Sequence, residues 1–163
     1  MKRPLVRVFV LSWGMGAALS AVEWIFLHLI LTTENVDWFF AHSTLIFGAV
    51  PMALSAVALG IAGWKGMGDL TRPQAAVSAA LMAAYYLVIA LVQQLFAQKS
   101  WYSFSLMSVL FVPCRPYSDL WTLLWTVGGL GILAGCLAIA TPFVLLLFAG
   151  RKRPAGEREE TES

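Results

Sequence analysis

The chain has 163 residues, of which 60% are hydrophobic and only 12% charged, against about 25% charged in an ordinary soluble domain. A soluble core of this size has too little interior to hide so much apolar surface, so a water-borne globule is excluded. The net charge of +2 is too small to suggest a nucleic-acid partner, and the expected surroundings are a lipid bilayer.

The first apolar run extends from Leu5 to Leu31, interrupted only by Ser12, Ser20, Glu23 and His28. Lys2 and Arg3 open the chain, as in an export leader, and Ala18-Leu19-Ser20 resembles a cleavage site. Hydrophobicity continues straight through that site, however, so the run reads as a span. Ser12, Gly16, Ser20 and Glu23 recur at helical spacing and form one small, polar stripe, with Gly16 and Ser20 offering close packing to another helix. Glu23 is expensive to ionise in hydrocarbon, so it is expected to face other helices. His28 lies about 140° around the helix from Glu23 and is expected near the boundary.

A short acidic connection carries Glu34 and Asp37, and then His42 precedes a second span, Ser43 to Trp64, containing Pro51. The third span is Ala75 to Phe96. The fourth, Leu120 to Ala149, has Pro142 and would be about 45 Å long, so it has to tilt, bend or emerge from the membrane. Each span is long enough for the roughly 30 Å hydrocarbon core, and helices are expected because every backbone N–H needs a partner without water.

The basic residues set a direction. Lys2, Arg3 and Arg7, then Lys65 and Arg72, then Arg151, Lys152, Arg153 and Arg158 share one side if both termini are cytoplasmic. Lys99 and Arg115 fall on the other side, within an outer loop. That loop holds SWYSFSLMSVLFVP, Ser100 to Pro113, too short to span; it either lies in the interface or dips into the bundle, and the interface is expected because re-entrant backbone needs shelter by protein. The predicted fold is therefore an all-α, four-helix transmembrane bundle, N-in/C-in, with a short interfacial segment between helices 3 and 4. Residues 1–150 form the single domain, and residues 151–163 a polar tail expected to be disordered. A multi-pass protein of a plasma membrane, of the bacterial inner-membrane kind, is the expected setting.

Counting depth at about 1.5 Å per residue puts Glu23, Gln93, Gln94 and Thr126 in one outer-leaflet layer, the expected intramembrane polar cluster. The fourth span adds the GxxxG pair Gly131 and Gly135, which serves either dimerisation or packing within the bundle. No HExxH, GxSxG, Walker loop or CxxC is present, so no catalytic residue is expected. Cys114 and Cys136 read as free thiols. His28, His42, Asp37 and Glu34 are the available donors for a transition metal, and two histidines for a haem, at a spacing that fits no strong template, so no cofactor is expected.

Three functional expectations follow. The first is an accessory or structural subunit of a membrane assembly, with other membrane proteins or further copies of itself as partners. The second is a small oligomeric transporter or channel subunit using the polar layer around Glu23. The third is a metal- or haem-binding redox protein.

Overall fold

A computed structural model of the protein describes residues 4–29, 36–97 and 104–151. These residues are helical apart from short turns, with no strand among them. Four stretches are long and apolar enough to cross a membrane: Pro4–His28, Leu45–Gly66, Arg72–Leu95 and Gly131–Phe148. The chain thus has the make-up of a multi-pass helical membrane protein.

Helix α1, Arg7–Leu29, follows a 3-10 turn at Pro4–Val6. Near its start, where helical N–H groups lack intrahelical acceptors, the Val8 N–H donates to Ser78 Oγ at 3.0 Å. The short helix α2, Val36–Ala41, leads into a π-helical turn at Leu45–Ala49 and then α3, Val50–Gly66. Pro51 accounts for that wider turn. It has no N–H to donate, and its ring displaces the preceding turn's carbonyl. Helix α4, Arg72–Ala97, starts with a reciprocal cap. Thr71 N–H donates to Gln74 Oε1 at 3.2 Å, and Gln74 N–H to Thr71 Oγ1 at 3.3 Å.

After α4 the chain does not lie flat across the end of the bundle, as expected for Ser100 to Pro113. Residues 100–103 lie outside the described part, but α5, Phe104–Phe111, descends beside α4. Tyr85 Oη donates to the Leu110 carbonyl at 2.7 Å, and the Tyr86 and Phe111 rings stand 5.8 Å apart. Tyr85 is twelve residues before Ala97, so the contact lies about 18 Å along α4 from its end. A 3-10 turn, Val112–Cys114, then meets α6, Arg115–Ser118, and a further 3-10 turn, Asp119–Trp121. Pro113 and Pro116 prevent a continuous helix here and set the reversal. Helix α7, Thr122–Thr126, returns toward the end from which α5 came and packs against the Leu45–Ala49 turn. Residues 104–126 therefore form a helical hairpin that enters and leaves the bundle at the same end.

The fourth span is corrected accordingly. It does not run unbroken from Leu120. The chain turns at Val127–Leu130, where Gly129 takes φ +61°, a left-handed value that a Cβ disfavours. Helix α8, Gly131–Ala140, continues as a 3-10 stretch, Thr141–Phe148, in which Pro142 removes a donor.

At the opposite end Leu11 packs onto Gly66 and the Phe148 ring onto Gly63. Arg7 pairs with Asp69 at 2.7 Å, and Arg151 lies 5.1 Å and 5.0 Å from the ring centres of Trp64 and Phe148. The core between the two ends holds Val8, Met67, Met82, Cys114, Tyr117 and Leu145, all with less than 2% of their surface exposed.

Candidate functional site

The polar stripe of α1 meets the hairpin along its length. Ser12 Oγ sits 2.6 Å from the Val8 carbonyl and commits its one proton there, so it accepts from Tyr117 Oη at 2.5 Å. One turn on, Gly16 lies directly against the Val112 backbone, where a Cβ would occupy the place of the Val112 carbonyl. Ser20 Oγ accepts from Arg115 Nη1 at 2.9 Å, and Glu23 forms an ion pair with the same guanidinium through Nη2. Arg115 also faces Asp119, one helical turn later, with Nε 3.5 Å from Oδ2. Small side chains on α1 thus make the room, and charge on both sides fixes the register.

The charged group stands partly sheltered. The side chains of Glu23, Arg115 and Asp119 expose 39%, 24% and 17% of their surface, enough shielding to strengthen their attraction and too little to exclude every contact from outside. Ser118 Oγ donates to the Arg115 carbonyl at 3.0 Å and approaches Asp119 Oδ1 at 3.5 Å. Burial pushes the Asp119 carboxyl above its ordinary range, while Arg115, Ser118 and the nearby Ser55 pull it back. Ser55 is completely buried, and its Oγ faces this carboxylate without closing a full hydrogen bond. Beside the group, Cys114 has no exposed surface, and burial raises its thiol to about 12. Trp121 Nε1 donates to Thr141 Oγ1 at 2.8 Å, tying the hairpin's turn to the last span.

The same three charged side chains border a crevice of about 80 Å³ between α1 and the Leu45–Gly66 span. Its remaining walls are apolar. Phe26, Leu27, Ile46 and Phe47 lie on one side of the charges, and Leu19 and Leu54 on the other.

Of the residues expected in one polar layer, Glu23 takes the central role. The other three are not members of the charged group. Gln93 is half-buried and Gln94 exposed on α4, while Thr126 is on α7, where its Oγ1 donates to the Thr122 carbonyl at 3.0 Å. Thr126 stands near Gly48 of the π-helical turn. Sequence reasoning missed Asp119 and, above all, Arg115. Two clues pointed to it: an acid in an apolar span demands a counter-charge, and a cation flanked by Pro113 and Pro116 is ill suited to a regular surface helix.

Among the donors considered for a metal or haem, His28 Nδ1 is 2.9 Å from the Trp24 carbonyl, and its ring stacks on Trp24 at 4.3 Å. His42 repeats this arrangement with Trp38, at 2.8 Å and 4.4 Å. Each imidazole is thus oriented by its own helix. Among the described residues no group of three His, Cys, Asp or Glu is placed to hold a metal ion; Asp37 is exposed, and Glu34 lies outside those residues.

The helix-packing glycines divide into two sets. Gly16 is filled by the hairpin, whereas among the described residues a Cβ on Gly135 would meet nothing within 4 Å, and one on Gly131 only the Trp125 ring at 3.7 Å. No protein-family model, curated protein or solved structure matches the chain.

Proposed function

We propose that this chain is an accessory or structural subunit of a membrane assembly, lying multi-pass in a plasma membrane of the bacterial inner-membrane kind with both termini cytoplasmic. The observation that carries the reading is the open face of α8. Lipid-facing apolar side chains are ordinary in a membrane protein, so exposure alone is no argument. Unfilled helical glycines are more informative, because a bare backbone is costly in helix propensity and rewarding only where another helix approaches. Among the described residues nothing lies within 4 Å of a Cβ on Gly135, and Ile132 next to it is 89% exposed. Gly14 on α1 and Gly60 on α3 are likewise open, whereas Gly16, Gly48, Gly63 and Gly66 are covered within the bundle; α8 adds to its open glycine the most exposed large apolar side chain among the described residues.

The transport reading is less well supported, since the Glu23 carboxylate is bonded to Arg115 and so anchors backbone. A subunit of an assembly needs no such carboxylate for turnover.

Gly135→Leu tests the proposal. The new side chain enters open space, so the isolated chain should keep its stability or gain about 0.5–1 kcal/mol from helix propensity. Extraction in a mild detergent should give a larger complex for the native chain and a free subunit for the variant. A native chain that is monomeric in every mild detergent, or a variant that assembles as before, contradicts it.

A further inference from the structure

The crevice between α1 and the Leu45–Gly66 span has a charge imbalance that its own residues leave unresolved. One guanidinium, Arg115, stands against two carboxylates, Glu23 and Asp119, and all three border the same cavity. One formal negative charge is left over in surroundings that are otherwise apolar, where an uncompensated ion is costly.

The shape narrows what would restore balance. The charges sit partway along the crevice, with Phe26, Leu27, Ile46 and Phe47 on one side of them and Leu19 and Leu54 on the other. A phospholipid carries its charge at one end, beyond its chains, and fits such a layout poorly. A compact organic cation with apolar substituents on both sides of the nitrogen fits it well. Phe47 lines the crevice and can offer an aromatic face to such a charge. The volume of about 80 Å³ limits the enclosed part to a few carbon atoms, and the remainder would extend toward Val22 and Val50, which are exposed. We propose that this crevice is a binding site for small lipophilic ammonium ions, with the charged nitrogen held on the crevice side of the Glu23–Arg115–Asp119 group. The site is independent of the α8 face on which the assembly reading rests.

Benzyltrimethylammonium is a suitable probe, titrated by calorimetry into the full chain in lipid nanodiscs, with benzenesulfonate as the anionic counterpart. Saturable binding of the cation and none of the anion is expected. Asp119→Asn leaves Arg115 and Glu23 as a one-to-one pair and so preserves the anchor, yet it should weaken binding at least tenfold. Val50→Trp, an exposed position at the crevice, should abolish binding while keeping all three charges. Cation binding that is absent, matched by the anion, or unaltered in either variant overturns the proposal.

Discussion

Gly16 and Gly135 both lie in stripes of small residues on apolar helices, yet the fold treats them oppositely. Gly16 has the Val112 backbone against it, flanked by the Ser12–Tyr117 hydrogen bond on one side and the Arg115 pair with Ser20 and Glu23 on the other. Gly135 has open space among the described residues, and no hydrogen bond or ion pair to another helix flanks it as those around Gly16 do. The difference teaches what a small residue means in a membrane helix. It permits close approach without specifying a partner, and the polar groups one turn away supply the specification. Where those are present the contact closes within the chain. Where they are absent the surface remains available to another.

Filling Gly16 should break this contrast most severely. Gly16→Val places atoms where the Val112 carbonyl now lies, and neither backbone can yield cheaply. A loss of about 3 kcal/mol, the upper end of the overpacking range, is expected in SDS-titrated unfolding from mixed micelles. The cost at Gly16 and the tolerance of Gly135→Leu together sharpen the comparison into a single stability measurement on two variants.

Arg115→Gln comes next. It strands two partly sheltered carboxylates, and roughly 2–3 kcal/mol should be lost, below the figure for fully buried pairs because Glu23 stays partly exposed. Adding Glu23→Gln to that variant should recover at least part of the loss, measured as a double-mutant cycle. Equal and additive losses would mean that the pair does not form. Tyr117→Phe should cost the least, about 1 kcal/mol, since Ser12 keeps its bond to the Val8 carbonyl and only one hydrogen bond disappears.

The four spans were legible because continuous hydrophobicity is a strong, local signal. The α1 stripe was legible too, since a period of 3.6 residues places Ser12, Gly16, Ser20 and Glu23 on one face. Their partner was not. Depth counting treats a segment too short to cross as lying outside, and it assigned Arg115 to the loop. The hairpin enters and leaves by the same end, so its length carries no information about its depth. Its irregular backbone is sheltered by protein, with Pro113, Cys114, Pro116 and Tyr117 all buried, and such shelter depends on tertiary packing that no local pattern encodes. The thirty residues assigned to the fourth span were a hint, since Gly128 and Gly129 divide that stretch into the hairpin's return arm and the crossing helix.

Everything distinctive in this molecule depends on the hairpin being inserted against α1, and the native Cys114 reports on it directly. In Cys136→Ser, Cys114 is the sole thiol, fully buried, and burial disfavours its reactive thiolate form. Intact membranes treated with a charged, impermeant maleimide should leave Cys114 unmodified, with complete labelling after SDS denaturation. Rapid modification in the native membrane would place the segment at the surface and contradict the account.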